Sequence, residues 1–168
     1  MLTNCTNDGT TTDTGTATST LEAVYLNYPQ ADVLSKYLKP YPDQISSAVP
    51  PNSVELKAAM DAYNAGEYQA AIDTFPNFSR KPDQVSYIHL YKGISFLMTG
   101  QEHDAFNTFQ FIRSNNQEAF EVSEWYRALC YVAYNNIYEA RRKLETIVAN
   151  ETYAKEEAAE LLEVLPVK

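Results

Sequence analysis

The side chains that most often carry chemistry are few in this chain, and they do not gather into a site. His89 and His103 fall on different predicted helices, and neither has a carboxylate or thiol at the spacing of metal ligands. Cys5 lies in a polar stretch, whereas Cys130 lies in an apolar helical run and is interpreted as a small buried hydrophobic residue. Two such cysteines make neither a disulfide scaffold nor a zinc motif, so we predict no metal and no cofactor.

Acidic pairs are the remaining candidates for acid–base chemistry. Glu121 and Glu124 share a helix face at a spacing of i,i+3, but a solvated helix face is the simpler interpretation of such a pair. Glu102 and Asp104 flank His103 at a predicted helix start, where the helix dipole favours acidic residues. The chain also lacks a phosphate-binding glycine loop and a nucleophile elbow, so we predict no catalytic residues and no enzymatic activity.

Composition limits the class of partner. The chain has 168 residues, a hydrophobic fraction of 45% and a formal net charge of -9, which suits one acidic domain with a real core. Its 13 basic residues are scattered, which argues against a nucleic-acid partner and against adsorption to anionic lipid. No stretch approaches the roughly 18 apolar residues of a spanning helix, so direct membrane insertion is not predicted.

A repeat of 34 residues organises the middle of the chain. Small residues align with small ones and large apolar residues with large ones, in the pairs Gly66–Gly100, Ala59–Gly93, Ala71–Ala105, Ile72–Phe106 and Phe75–Phe109. A third unit follows at an offset of 35, with the pairs Gly93–Ala128, Ala105–Ala140 and Phe109–Leu144. This period predicts an all-α fold, an α-solenoid of stacked antiparallel helix pairs, in which the small residues mark the helix crossings.

Prolines, glycines and caps divide the chain into three parts. We predict a Thr-rich disordered tail over 1–20, short helices and a Pro-rich connector over 21–52, and the helical repeats over 53–165. Ser53 is the predicted N-cap of the first repeat helix. The predicted helices cover 53–65 with 67–75, 84–99 with 101–114, 118–134 with 136–149, and a capping helix over 152–165. Positive φ values are expected at Gly66, Gly100 and the Asn135-Asn136 turn.

The repeats resemble the tetratricopeptide (TPR) family. The likeness rests on Gly66–Ile72 (GEYQAAI), Gly100–Phe106 (GQEHDAF) and, more weakly, Asn135–Ala140 (NNIYEA), and it covers about residues 53–149. The resemblance implies a right-handed stack whose first helices line a concave groove for a peptide or protein. Carried over by alignment, the groove positions hold Met60, Tyr63, Asn64, Tyr87, Ile94, Met98, Trp125 and Leu129.

Tyrosine and tryptophan are frequent anchors at interfaces, and Trp125 is the strongest candidate among these. Family members that clamp a C-terminal carboxylate use Lys, Arg and Asn at positions that here hold Leu56, Met60, Tyr91, Val122 and Tyr126, so no carboxylate clamp is predicted. We predict a non-catalytic scaffold that binds a protein or peptide. The alternative is a structural module that self-associates, and the chain is expected to be a monomer or a weak homo-oligomer.

The block before the repeats carries Tyr25, Tyr28, Tyr37 and Tyr41 next to the predicted groove. It could fill the groove as an intramolecular ligand, or it could cover the open edge of the first helix pair, and we favour the second. Tyr37–Pro42 (YLKPYP) is similar to a segment of small bacterial envelope proteins that carry such repeats behind a membrane anchor. That similarity favours the periplasmic side of the cell envelope over the cytoplasm. Leu2–Cys5 only partly resembles a lipoprotein cleavage box, since Asn4 stands where a small residue is needed.

Overall fold

The computed structural model describes residues 30–48, 53–75 and 82–167, and within these ranges the chain forms helices and no strand. The helices are α1 (Gln30–Tyr37), α2 (Val54–Asn64), α3 (Tyr68–Thr74), α4 (Pro82–Met98), α5 (Glu102–Phe109), α6 (Gln117–Ala133), α7 (Ile137–Ala149) and α8 (Lys155–Val164), with a 3-10 helix at Ser46–Ala48. The all-α prediction is confirmed for this part of the chain. The predicted tail over 1–20, including Cys5, and the connector residues 49–52 lie outside the described residues.

Helices that follow one another in sequence also pack against one another, from α2 through to α8. In addition α4 packs against α6, so the first helices of two successive pairs are in contact. Helix α1 departs from this order, because it packs on α6 although α2 follows it in the chain. The segment between α1 and α2 must therefore cross from α6 back to the start of the repeats.

The alanines at the predicted crossing positions are fully buried. Ala59, Ala71, Ala105, Ala128 and Ala140 have no exposed surface. At Gly93 an added Cβ would lie 2.5 Å from Cε1 of Phe109, which is closer than any real contact. The absent side chain therefore makes room for the Phe109 ring, and α4 and α5 approach closely there because of it.

The turns within the helix pairs share one geometry. Gly66 has a φ of +77°, Gly100 of +73° and Asn135 of +56°, as the sequence predicts. After each of these residues the next N–H donates to the carbonyl five residues back, as in Glu67 N to the Ala62 carbonyl at 2.9 Å. Such Schellman motifs satisfy carbonyls that a helix end would otherwise leave unpaired. The same motif ends α7, where Glu151 has a φ of +54°, a position that the sequence analysis does not predict.

Two helix boundaries differ from the predicted ones by more than two residues. Helix α5 ends at Phe109, not at residue 114, because residues 110–112 turn through i→i−3 bonds that bury Ile112. The Thr108 hydroxyl donates to the Asp104 carbonyl at 2.7 Å, which is a local bond that competes with a regular helix. Helix α8 begins at Lys155 rather than at residue 152, after Ala154 in the left-handed region.

Side-chain caps also differ from the prediction. Ser53 is the N-cap residue of α2, but its side chain makes no capping hydrogen bond. Among the α-helix starts that the structure describes, side-chain caps form at Asn116, which accepts from Ala119 N at 3.1 Å, and at Asn136, which accepts from Glu139 N at 3.3 Å. Both asparagines place a carbonyl oxygen over free N–H groups of the first turn.

The acidic pair on α6 is not a solvated face. The Glu124 side chain is only 18% exposed and pairs with Arg127 Nη1 at 2.5 Å and with Lys143 Nζ on α7. Glu121 instead accepts from Gln117 Nε2 at 2.6 Å. The two carboxylates therefore point to different partners, and Glu124 links α6 to α7 through an ion pair.

Candidate functional site

The N-terminal block runs along α6 in the opposite direction. At the C-terminal end of α6, Gln30 Nε2 donates to the carbonyls of Val132 at 2.6 Å and Ala133 at 2.5 Å. In the middle of α6, the Tyr37 ring meets the Trp125 ring edge-on with 6.3 Å between centroids. Both aromatic side chains are almost fully buried by this arrangement. The described start of the block is thus fixed on the third helix pair.

Tyr41 reaches the N-terminal end of α6. Its hydroxyl donates to Glu118 Oε1 at 2.7 Å, and the other carboxylate oxygen of Glu118 accepts from the Tyr87 hydroxyl at 2.8 Å. The Tyr41 ring lies against Tyr91, at 6.3 Å, and edge-on to Tyr153, at 5.6 Å between centroids. The side chain is 6% exposed, so the ring is desolvated while its hydroxyl keeps a charged acceptor.

Tyrosine hydroxyls from the first helices hold the main chain of this region. Tyr126 on α6 donates to the Lys39 carbonyl at 2.7 Å, and Tyr63 on α2 donates to the Tyr41 carbonyl at 2.9 Å. Between them, Tyr91 on α4 both donates to the Pro42 carbonyl at 3.0 Å and accepts from Gln44 N at 2.8 Å. We call these three residues the tyrosine face, and residues 38–45, which lie on it, the crossing segment.

The end of the crossing segment is fixed by Asp43. One carboxylate oxygen of Asp43 accepts from Ile45 N and Ser46 N, each at 2.9 Å, and the other accepts from Asn64 Nδ2 at 2.7 Å. Burial acts to raise the pKa of Asp43, but these hydrogen bonds to Ser46, Asn64 and Ile45 outweigh it and leave the pKa lowered. The carboxylate therefore caps the 3-10 helix and ties the segment to the end of α2.

From Val33 to Ile45, every fourth residue of the block is buried. Val33 and Tyr37 point inward from α1, and Tyr41 and Ile45 continue the same spacing into the crossing segment, all with exposed fractions below 8%. Leu34 and Leu38 pack half-buried beside them. Each such side chain contributes on the order of 1.5–3 kcal/mol by leaving water. The crossing segment thus combines a few deep side chains with main-chain hydrogen bonds.

The environment keeps the tyrosine hydroxyls protonated. Burial raises the pKa values of Tyr41, Tyr63, Tyr91 and Tyr126 above the ordinary value of 10.0. At Tyr87, burial first and then the hydrogen bond to Glu118 raise the pKa to about 12. A protonated hydroxyl can donate, so the hydrogen bonds to the carbonyls of the crossing segment persist over the whole neutral range.

Four of the eight predicted groove residues lie at this site. Tyr63 and Asn64 bind the crossing segment directly, and Trp125 packs against Tyr37 at its start. Tyr87 is adjacent, because it shares Glu118 with Tyr41.

The other four predicted residues lie elsewhere. Met60, Ile94 and Leu129 have no exposed surface and belong to the hydrophobic core, while Met98 is half-buried and packs against that core. A partner could reach the first three only by opening the interior. We therefore leave these four out of the candidate site.

Two tyrosines at the centre of the site, Tyr91 and Tyr126, are not among the predicted groove residues. They stand 35 residues apart, the same offset that relates Gly93 to Ala128, so the repeat spacing could have identified them. Neither can clamp a carboxylate, as predicted from the sequence, yet both donate to main-chain carbonyls. No spacing or motif in the sequence indicated Glu118, because its role as a hydrogen-bond acceptor depends on where Tyr41 lies in the fold.

The favoured position of the N-terminal block is wrong for its described residues. Residues 30–45 lie on α6 and then cross α4 to α2, instead of covering the open edge of the first helix pair. The contacts match the other possibility, in which the block occupies the face of the first helices. Residues 21–29, with Tyr25 and Tyr28, lie outside the described part.

A small cavity adjoins the start of the crossing segment. Its volume is about 180 Å³, and its lining includes Lys36, Lys39, Trp125 and Glu157. No group of three or more His, Cys, Asp and Glu side chains that could hold a metal is found among the described residues. Within residues 30–48, 53–75 and 82–167, no helix combines the length and hydrophobicity needed to cross a bilayer.

Comparisons with known proteins give no relative from which a role could be transferred. No protein-family model, no curated protein and no solved structure matches the chain.

Proposed function

We propose that the chain is a non-catalytic module that binds a protein or peptide on the tyrosine face, and that its helix pairs form a TPR-like solenoid. The proposal for the fold is supported by the packing of successive helices, by the contact between α4 and α6, and by turns of one geometry at Gly66, Gly100 and Asn135. Buried small residues at the repeated positions support it as well. Each pair leaves a side that the next pair covers.

The observation that carries the binding proposal is the crossing segment itself. It is a short non-helical stretch with two prolines, and side chains of three different helices bind its carbonyls. Recognition of this kind reads the main chain, so it would serve a peptide in trans as well as a segment of the same chain. In this proposal the crossing segment occupies the position at which a ligand would bind.

Tyrosine suits such a surface for energetic reasons. Its ring buries a large area with few rotatable bonds, and its hydroxyl supplies a hydrogen bond at the edge. Each hydrogen bond contributes only about 0.5–1.5 kcal/mol net, but leaving a buried hydroxyl or carbonyl unpaired costs about 1–3 kcal/mol. The face therefore favours any occupant that supplies carbonyls at the same places.

An occupant in the same chain also competes with any partner. A segment that belongs to the same chain as its binding site has an effective concentration on the order of millimolar, so a free peptide must exceed that level or bind more tightly to replace the segment. The module is expected to be closed by default and to open when a stronger ligand is present.

The experiment that tests this proposal separates the block from the repeats without deleting it. A protease site is placed within residues 49–52, the full-length chain is cut, and an isotope-labelled peptide of residues 30–48 is added in excess. Native mass spectrometry should show exchange of the cut block for the labelled peptide while the repeats stay folded. The matched control is the same cut chain with Tyr63, Tyr91 and Tyr126 changed to Phe, which should retain less peptide.

The proposal fails if the cut block never exchanges, or if its release unfolds the helices that follow. In either case the block is a permanent part of the fold rather than an occupant. Light scattering of the uncut chain over a range of concentrations tests the self-association alternative, because a concentration-dependent mass would favour it.

A further inference from the structure

We propose that the partner of the tyrosine face is a separate protein that offers a tyrosine between two prolines followed by an acidic residue, the pattern Pro-Tyr-Pro-Asp of residues 40–43. This inference rests on the proposed function and specifies its ligand. Three features of the site select that pattern, and a fourth selects a separate protein as its carrier.

The first feature is the position of the central tyrosine. The Tyr41 ring fills a place between Tyr91 and Tyr153, and its hydroxyl ends on Glu118. A phenylalanine would fill the same place but would leave one oxygen of the carboxylate without its donor. Sites built to bind a hydroxyl reject the analogue that lacks it far more strongly than they reject a small change in size.

The second feature is the pattern of hydrogen-bond donors on the face. Tyr63, Tyr91 and Tyr126 all donate to carbonyls, and the first N–H of the segment that the face binds is that of Gln44. Proline has a carbonyl and no N–H, so at positions 40 and 42 it loses no contact. Its fixed φ also reduces the ordering cost of the free peptide, which favours binding.

The third feature is the acceptor for Asn64. The Asp43 carboxylate takes the Asn64 amide on one oxygen and caps the N–H groups of Ile45 and Ser46 with the other. An acidic residue directly after the second proline thus binds the face and also folds the peptide that carries it. Asparagine could keep part of this geometry, whereas alanine would keep none.

The fourth feature argues for a separate protein rather than a second copy. A second copy would bring the same residues 38–45 that each chain already holds in cis. If two copies exchanged their segments, they would gain no contact at this site. They would also lose the high effective concentration that a segment has within its own chain. A partner with the same pattern and additional contacts can overcome the tether.

The test uses the full-length chain with Tyr41→Ala, which weakens its own segment, and fluorescent peptides of residues 36–46. The native peptide should bind most tightly, and a Tyr41→Phe peptide should bind at least about tenfold more weakly, since a hydrogen bond to a charged group is lost. Peptides with Pro40 and Pro42 changed to Ala, or with Asp43→Ala, should lose several-fold. In a chain that also carries Glu118→Gln, the preference for Tyr over Phe in the peptide should shrink.

Each outcome decides between the two proposals. If all peptides bind within about twofold of one another, the face binds peptides but this pattern is wrong. If no peptide binds, the proposed function fails together with the inference. If the Tyr41→Ala chain does not fold, the same peptides are compared on the wild-type chain at millimolar concentration, where they compete with the tether. A dimer that forms without peptide and dissociates when the native peptide is added would assign the face to a second copy and overturn the choice of a separate partner.

Discussion

The places where helices cross, here called seams, make their contacts by one means, and the tyrosine face makes its contacts by the opposite means. At the seams, side chains are removed so that backbones approach, as where Gly93 lies under the ring of Phe109. On the tyrosine face, side chains are long and end in hydroxyls that reach the main chain of residues 39–42. The packing at a seam depends on the complementary shapes of its side chains and therefore accepts only one arrangement. The face depends on hydrogen bonds that another peptide could supply, so it is the region in which we propose an exchange of occupant.

The largest effect is expected where a seam is emptied. Phe109→Ala removes a ring with no exposed surface and should lower the free energy of unfolding by about 3–5 kcal/mol, because the cavity cannot close fully. The matched control is Phe111→Ala, two residues on, whose side chain is 65% exposed. Urea unfolding monitored by circular dichroism measures both. Equal losses in the two variants would contradict the assignment of Phe109 to the seam.

The next largest effect is expected at Gly93, the residue against which the Phe109 ring packs. Gly93→Ala places a Cβ against the Phe109 ring and should cost about 1–3 kcal/mol through overpacking. In a Phe109→Leu background the smaller side chain leaves room, so the cost of Gly93→Ala should fall. A double-mutant cycle measures this coupling. Strict additivity would show that the two positions do not compete for space.

A smaller effect is expected in the crossing segment. Tyr41→Phe keeps the ring but removes the donor to Glu118, and should cost on the order of 1.5 kcal/mol of stability. The change should be confined to the block, so that amide hydrogen exchange speeds up over residues 38–46 and stays slow in α4 and α6. Tyr134→Phe, on an exposed side chain, serves as the control. Faster exchange throughout the repeats would argue that the block is part of the core.

Alkaline pH should lower the stability of the folded chain through the buried tyrosines of this site. The pKa of Tyr87 is raised to about 12 and those of Tyr41, Tyr63, Tyr91 and Tyr126 are raised too, so between pH 10 and 12 the unfolded chain loses protons that the folded chain keeps. Stability is therefore complete below pH 10 and falls as the pH rises. Denaturant midpoints across this range measure the slope, which Tyr41→Phe with Tyr87→Phe should reduce. An unchanged slope would contradict the assignment.

The smallest effect is expected at the surface pair between α1 and α8. Lys36 Nζ lies 3.2 Å from Glu160 Oε2, and both side chains are 61% exposed. Water and salt screen such a pair, so Lys36→Gln should leave the denaturant midpoint unchanged within error. A clear loss would mean that the block depends on charge rather than on Tyr37 and Tyr41.

Local patterns explain what the sequence could predict. Small residues at Ala59 and Ala105, and turn residues at Gly66 and Gly100, act within one helix pair and repeat, so spacing alone finds them. The end of α3 at Thr74 follows equally from Pro76 two residues on.

The path of the crossing segment could not be predicted in this way. Nothing near Tyr41 in sequence indicates that its hydroxyl donates to Glu118, 77 residues away, or that the Tyr126 hydroxyl donates to the Lys39 carbonyl. Such contacts depend on which face the repeats leave open once they are packed. The burial of Met60 and Leu129 was missed for the same reason, because an apolar residue on a first helix can face either the groove or the core.

We propose above that the crossing segment binds the tyrosine face as a peptide ligand would. The most direct test of this proposal is amide hydrogen exchange at Gln44, whose N–H donates to the Tyr91 hydroxyl, in isotope-labelled full-length chain mixed with an unlabelled peptide of residues 36–46 at millimolar concentration. We expect slow exchange at Gln44 without peptide and much faster exchange with it, while the amides of α4 stay protected. Fast exchange at Gln44 from the outset, or no response to the peptide, would rule out an exchangeable segment.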